Sequence, residues 1–176
     1  MYPYVRFLKE ALKARAATPL PPLETHISHH ICWPWDIDPW MEMNNGRTLT
    51  LYDLGRVGLS IRCGLWAALK SNRFGMVVAG ASVRYRRRIT AFRPFEMRSR
   101  CVGWDGRFMY LDQSMWQGGE CSSQVLIRGA VTSRGAMIAP ERLITAMDPA
   151  LASPELPAWV QNWAEADNTR PWPPQV

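Results

Sequence analysis

The stretch WDIDPWMEMNNGRTLTLYDLGR, Trp35–Arg56, decides how the rest of the chain is read. Asp36 and Asp38 stand two residues apart, just before Pro39. A turn-like Met-Asn-Asn-Gly follows. Leu51 and Leu54 then open an apolar repeat that continues through Gly58, Ile61, Leu65 and Leu69 at steps of three and four. That spacing predicts one helix from Asn45 to about Lys70. Asn44 or Asn45 suits its N-cap, because a side-chain oxygen there accepts a hydrogen bond from a free amide of the first turn. Gly46, Gly55, Gly58 and Gly64 lie in or at the edges of the run. An interior glycine costs about 1 kcal/mol relative to alanine, so this helix is expected to lay its backbone closely against a curved sheet.

Working outward, ETHISHHICWPW predicts a strand over 25–33, stopped by Pro34. After the helix the period changes to two. Strands are expected at 76–88, 95–104, 107–117 and 121–134, with RPF, WDGR and QGGE marking the turns. Asp105-Gly106 is a hairpin signal. MYPYVRFLKEALKARAA reads as a short amphipathic helix ended by TPLPPLE. Beyond Pro140 comes a short helix, then a proline- and tryptophan-rich tail that wraps the surface or frays. The expected division is an N-terminal helix in 1–20, a domain over 21–147 and the tail over 148–176. One strand, one long helix and four further strands in antiparallel sequence make an α+β domain, the sheet wrapped around the helix.

A chain of 176 residues can bury roughly 70% of its unfolded surface, so it needs no covalent or metal staple. Cys32, Cys63, Cys101 and Cys121 form no CxxC pair and no zinc spacing; they read as buried thiols of a reduced, cytoplasmic protein. Strand alternation sends His29 and His30 to opposite faces, and no carboxylate or cysteine completes a ligand set with His26, so no metal is expected. The chain has no apolar run of about 18 residues, so no membrane-spanning helix is expected. Arg6, Lys9 and Lys13 interrupt the N-terminal apolar runs, unlike a signal peptide. That helix is expected to pack on the domain; lying on an anionic membrane is the minority alternative. The net charge is +6, yet only Lys9, Lys13 and Lys70 are lysines. Arginine dominance favours fixed contacts to phosphate or carboxylate. RYRRR, residues 84–88, is too narrow for a nucleic-acid stripe with stacking aromatics, so no nucleic-acid partner is expected. In a strand it would turn Arg84, Arg86 and Arg88 one way and Tyr85 and Arg87 the other.

Two blocks, DIDPWMEMNNGRTLTLYDLGR and GASVRYRRRITAFRPFEMRSRCVGWDGRFMYLDQSM, fall in an order and spacing that resemble the hotdog-fold acyl-CoA thioesterases of the 4-hydroxybenzoyl-CoA thioesterase superfamily. The likeness spans roughly residues 25–135. It implies a sheet curled around the central helix. It implies a homodimer or dimer of dimers, in which the strand at 76–86 pairs with its copy and acyl-CoA binds between subunits. The implied activity is hydrolysis of a fatty or aromatic acyl-CoA, with CoA as part of the substrate and no cofactor.

Asp38 aligns with the catalytic aspartate of that family. Thioester hydrolysis needs a base for water or a carboxylate nucleophile, and donors for the developing oxyanion. The free amides of a helix N-terminus, here at Asn45 and Gly46, are such donors. Without the resemblance Asp38 reads as a turn cap before Pro39. Asp53 is the second candidate, because some relatives use an acidic residue on the central helix; otherwise it is a partner for Arg56. Asp36 is expected to brace the loop by bonding backbone or an arginine. The implied substrate-binding residues are Asn44, Asn45, Gly46 and Arg47 at the helix start, with Arg84, Arg86 and Arg88. One or two of these arginines would touch the 3′-phosphate or pyrophosphate of CoA; the alternative is interface ion pairs with Glu96, Asp105 or Asp112. The sequence departs from the family pattern at Glu42, where many relatives have histidine, and at Thr48, where they have tyrosine. No histidine follows His30, which disfavours hydratase chemistry. The same departures keep open an acyl-thioester binder that does not hydrolyse.

Overall fold

The computed structural model describes residues 2–174. The element order is α1 (Tyr4–Ala16), β1 (His26–Ile31), a single 3-10 turn (Pro34–Asp36), α2 (Asn45–Arg62), α3 (Leu65–Asn72), β2 (Phe74–Tyr85), β3 (Pro94–Trp104), β4 (Met109–Gln117), β5 (Glu120–Ser133), β6 (Ala136–Ile138), α4 (Pro140–Met147) and α5 (Ala158–Asn168). The strands form one antiparallel sheet in the order β1-β3-β4-β5-β2, with β6 folding back on β5. The long helix α2 lies in the concavity of this sheet, the hotdog arrangement.

Alternation builds the inner face. Met109, Leu111, Gln113 and Met115 of β4 are all buried, as are Phe95, Met97 and Ser99 of β3. Against them α2 sets Leu51, Tyr52 and Leu54, each fully buried. The glycines of α2 permit the close approach. A Cβ on Gly55 would stand 2.5 Å from both Met97 Sδ and Ser99 Oγ of β3, and one on Gly58 would strike the His26 ring of β1. The sheet therefore reaches the helix backbone itself.

Two expectations need correction, and two elements, β6 and α5, were not anticipated. The predicted single helix to Lys70 is two helices: Gly64 takes φ +81° between them, a left-handed conformation that glycine adopts without strain. The strand expected to reach Arg88 stops at Tyr85, and the amides of Arg86 and Arg87 both donate to Ser122 O. The Asp105-Gly106 hairpin does form, between β3 and β4, and Asp105 Oδ1 accepts from the amides of Arg107 (2.7 Å) and Phe108 (2.8 Å).

The convex face of the sheet is covered too. Val102, Phe108, Tyr110, Leu126 and Ala130 point outward and form a second apolar cluster. Val160, Trp163 and Ala164 of α5 pack on it, with Val160 fully buried. Arg128 is locked into the same contact. Its Nη2 donates to Asp167 Oδ2 at 2.5 Å and its guanidinium lies 4.4 Å from the Phe108 ring centre.

Candidate functional site

Residues 33–44 fold into a loop built around Asp36. Pro34 fixes the first position of a 3-10 turn, and the Trp33 amide donates to Asp36 Oδ2 at 3.0 Å. The Asp36 side chain is fully buried and meets two guanidiniums. Arg6 of α1 reaches both oxygens (3.1 and 2.8 Å), and Arg47 Nε lies 2.9 Å from Oδ1. The Asn44 amide donates to Asp36 O at 2.9 Å. A buried carboxylate is tolerable because its lone pairs are filled by opposite charges and a backbone amide. Asp36 thereby ties α1, the loop and the first turn of α2 together, the brace expected of it.

The loop then doubles back. Ile37 and Met43 form an antiparallel bridge, and the Asp38 amide donates to Glu42 O at 2.9 Å. Asp38 Oδ1 accepts from the amide of Trp40 (2.9 Å) and, at 3.4 Å, from that of Glu42. Asp38 is therefore a turn cap. It also faces an open groove of about 560 Å³, which it lines with Tyr2, Trp35, Asn44, Arg47 and Thr50. The structure thus brings Asp38 together with the beginning of α2.

At that beginning Asn44 is the cap: its side-chain oxygen accepts from the Arg47 amide at 3.1 Å. Asn45 and Gly46 are the exposed first two helical residues; amides there have no partner within their own helix. Tyr85 reaches the same place, its hydroxyl donating to Asn45 O at 3.4 Å. Tyr85 carries no role in the sequence reading.

Asp53 lies elsewhere. It stands more than two turns along α2, in the wall of a cavity of about 460 Å³ between α2, α3 and β2. Leu59, Leu65, Trp66, Leu69, Phe74 and Met76 give this cavity its apolar lining. Arg56 binds Asp53 Oδ1 from one turn on, and donates to Gln113 Oε1 at 2.7 Å. Burial lowers the Arg56 guanidinium to about 10, which leaves it cationic at neutral pH. Tyr2 lines both the groove and the cavity, so the two adjoin.

The three arginines do not share one strand face. Arg84 is an exposed residue of β2, whereas Arg86 and Arg88 follow its end. Within the chain Arg88 pairs with Glu42 at 3.0 Å and Arg87 with Glu120 at 3.5 Å. Glu96 and Asp112 are the partners of Arg98 and Arg100. The strand alternation that grouped these arginines ends at Tyr85. The contacts of Tyr85 with Asn45 and of Arg88 with Glu42 still hold this segment beside the loop.

Sequence reading also missed a buried polar network beneath α2. Gln113 Nε2 donates to Tyr52 O (2.9 Å) and Ser99 Oγ (2.8 Å), and the hydroxyls of Tyr52 and Ser123 meet at 2.8 Å. The available signal was a glutamine where β4 alternation demands an inward apolar residue. The histidines are structural. His29 is exposed; His30 stacks on Phe95 and meets Ser28 Oγ at 2.8 Å, and His26 Nδ1 accepts from Arg62 at 3.1 Å. Burial lowers His26 to about 4, with Arg62 adding to the shift; burial lowers His30 to about 3, with Arg6 adding. Among the described residues no cluster of His, Cys, Asp and Glu is arranged to hold a metal.

Comparison with known proteins agrees with this layout. Residues 32–164 match the model of the thioesterase-like superfamily. Over 170 residues the chain is 29% identical to protein THEM6 of Xenopus laevis, covering 94% of this chain and 80% of that one. A probable thioesterase from Bartonella henselae superposes with a TM-score of 0.60 at 15% identity, over 66% of this chain and 98% of that one. A thioesterase from Thermus thermophilus, complexed with coenzyme A and Zn, gives 0.59 at 19% identity, over 75% and 100%. At such identities the two structures share the fold.

Proposed function

The chain belongs to the thioesterase-like superfamily, and from that premise we propose that it hydrolyses acyl-CoA thioesters. The observation that carries this reading is the adjoining pair of spaces. A groove with a carboxylate and a capped helix start meets an apolar cavity across Tyr2. An amphiphilic thioester suits that pair, its polar head in the groove and its acyl chain in the cavity. A cavity of about 460 Å³ lies within the range of roughly 300–1,000 Å³ common for small-molecule sites.

In the proposed mechanism Asp38 is the working carboxylate. Its Oδ1 is oriented by two loop amides. Its other oxygen either takes a proton from the water that attacks the thioester carbonyl, or attacks that carbonyl to form an anhydride that water then hydrolyses. On both routes the C–S bond breaks and CoA leaves as its thiolate, which is protonated to the thiol. The amides of Asn45 and Gly46, at the positive end of the α2 dipole, stabilise the oxyanion. Arg84, Arg86 and Arg88 lie on the same end of the sheet as a source of phosphate contacts. A homodimer completes the site. Among the described residues β2 pairs only with β5, and its exposed Val77 and Val78 line the apolar cavity. An unpaired edge with exposed valines is a template for a second copy.

A second reading rests on one observation: Asp53 is the carboxylate in the apolar cavity itself. Asp53 is paired with Arg56 and stands more than two turns along α2 from the helix-start amides of the proposed oxyanion site. Thiol release from acetyl-, hexanoyl-, dodecanoyl-, palmitoyl- and benzoyl-CoA tests the activity and reads the acyl class together. Turnover of the longer or aromatic acyl groups is expected. Tight binding of those thioesters without thiol release over hours would make the protein a binder instead.

A further inference from the structure

We propose that α1, with the loop tip at Trp40 and Met41, docks this protein on an anionic lipid surface. The helix is apolar on two sides. One side, with Phe7, Ala11 and Ala14, packs inward against the domain. The other is bare: Tyr4 is 71% exposed, Val5 84%, Leu8 58% and Leu12 54%. At 100° per residue, Val5, Leu8 and Leu12 fall within an arc of about 60°. Exposed Lys9 and Lys13 border that arc on one side and exposed Arg15 on the other. A solvent-facing helix side normally carries polar residues at its centre. Here the apolar residues take the centre and the cations flank them, the layout of a helix lying in a membrane interface.

Charge selects the occupant. Glu10 is the sole acid of α1, and it is buried and paired with Lys13 at 3.5 Å. The exposed side therefore presents only positive charge, in a chain of net charge +6, and anionic headgroups attract such a segment. A loop beside α1 carries further exposed apolar side chains. The bonds from Arg6 to Asp36 and Ile31 O hold α1 beside the loop that begins at Trp33. Trp35 and, at the tip, Trp40 and Met41 are exposed there. Tryptophan, with an apolar ring and one polar edge, favours the membrane–water boundary. No described helix is long and apolar enough to cross a membrane, so the contact is a docking one.

The test is flotation of the whole chain with vesicles of phosphatidylcholine alone, or with about one third phosphatidylglycerol added. Wild type should float with the anionic vesicles and not with the neutral ones, and high salt should release it. Lys9→Glu/Arg15→Glu should weaken partitioning at least about tenfold. Leu8→Asp/Leu12→Asp should do the same by removing the buried apolar area, with Leu8→Ser/Leu12→Ser as the milder pair. All of these sites are exposed, so the melting transition should stay where it is. No flotation of wild type, or flotation indifferent to both pairs of changes, would overturn the proposal. A self-association that Leu8→Asp/Leu12→Asp abolishes, without vesicle binding, would overturn it too and assign the face to a second copy.

Discussion

At the residue scale, the two aspartates of DIDP divide their duties by burial. Asp36 is sealed between Arg6 and Arg47, while Asp38 faces the groove. Asp36→Asn would remove the buried carboxylate charge that pairs with both Arg6 and Arg47, and breaking a buried pair in this way costs about 3–5 kcal/mol. Urea unfolding should show that loss as a lower midpoint with an unchanged slope; a change under about 1 kcal/mol would mean that water already screens the site. The sequence made the division legible in outline, since two prolines around the pair argue against a shared strand face. It did not show that Arg6, thirty residues away, supplies the charge. Nothing local encodes that contact, because it depends on how α1 crosses α2.

At the element scale, α2 was legible from its period and cap, and its glycines correctly announced a sheet pressed against its backbone. The break at Gly64 was less visible, because the apolar repeat runs straight through it into Leu65 and Leu69. β2 was overextended for the opposite reason: RYRRR continues an alternating pattern, while Arg86 and Arg87 both turn their amides to Ser122 O. The outer helix α5 was the hardest to read. Its prolines and tryptophans look like a wandering tail, and its partner surface on β3, β4 and β5 exists only once the sheet is formed. Val160 is the anchor of that contact. Val160→Asp would place an unpaired charge against Val102, Phe108 and Leu126, and a loss of about 2–4 kcal/mol is expected. Thermal melting and the proteolytic sensitivity of the C-terminal segment should both report it.

At the scale of the whole molecule, acid should be a weak point. The folded state holds His26 and His30 neutral, at about 4 and about 3, against an ordinary value near 6.5. The unfolded chain therefore binds more protons between those limits, so stability is complete above about pH 6.5 and falls as pH drops towards 4. His30 alone contributes a slope of about 1.4 kcal/mol per pH unit in that window, and His26 adds to it. Denaturant midpoints measured from about pH 7.5 to about 4.5 check the slope, and His30→Gln should flatten it. Assembly is the second molecular property open to test. Val78→Arg on the free edge of β2 should convert a dimer to a monomer in sedimentation and reduce thiol release with it, whereas an unchanged mass would place the interface elsewhere. The central claim is that the carboxylate beside the α2 N-terminus performs the hydrolysis. Single-turnover thiol release from the acyl-CoA that wild type cleaves fastest, compared among wild type, Asp38→Asn and Asp53→Asn, tests it most directly. The expected result is a loss of at least about a hundredfold for Asp38→Asn, as for removal of a general base, with Asp53→Asn retaining most of the rate. Equal rates for wild type and Asp38→Asn, or loss in Asp53→Asn alone, would contradict it.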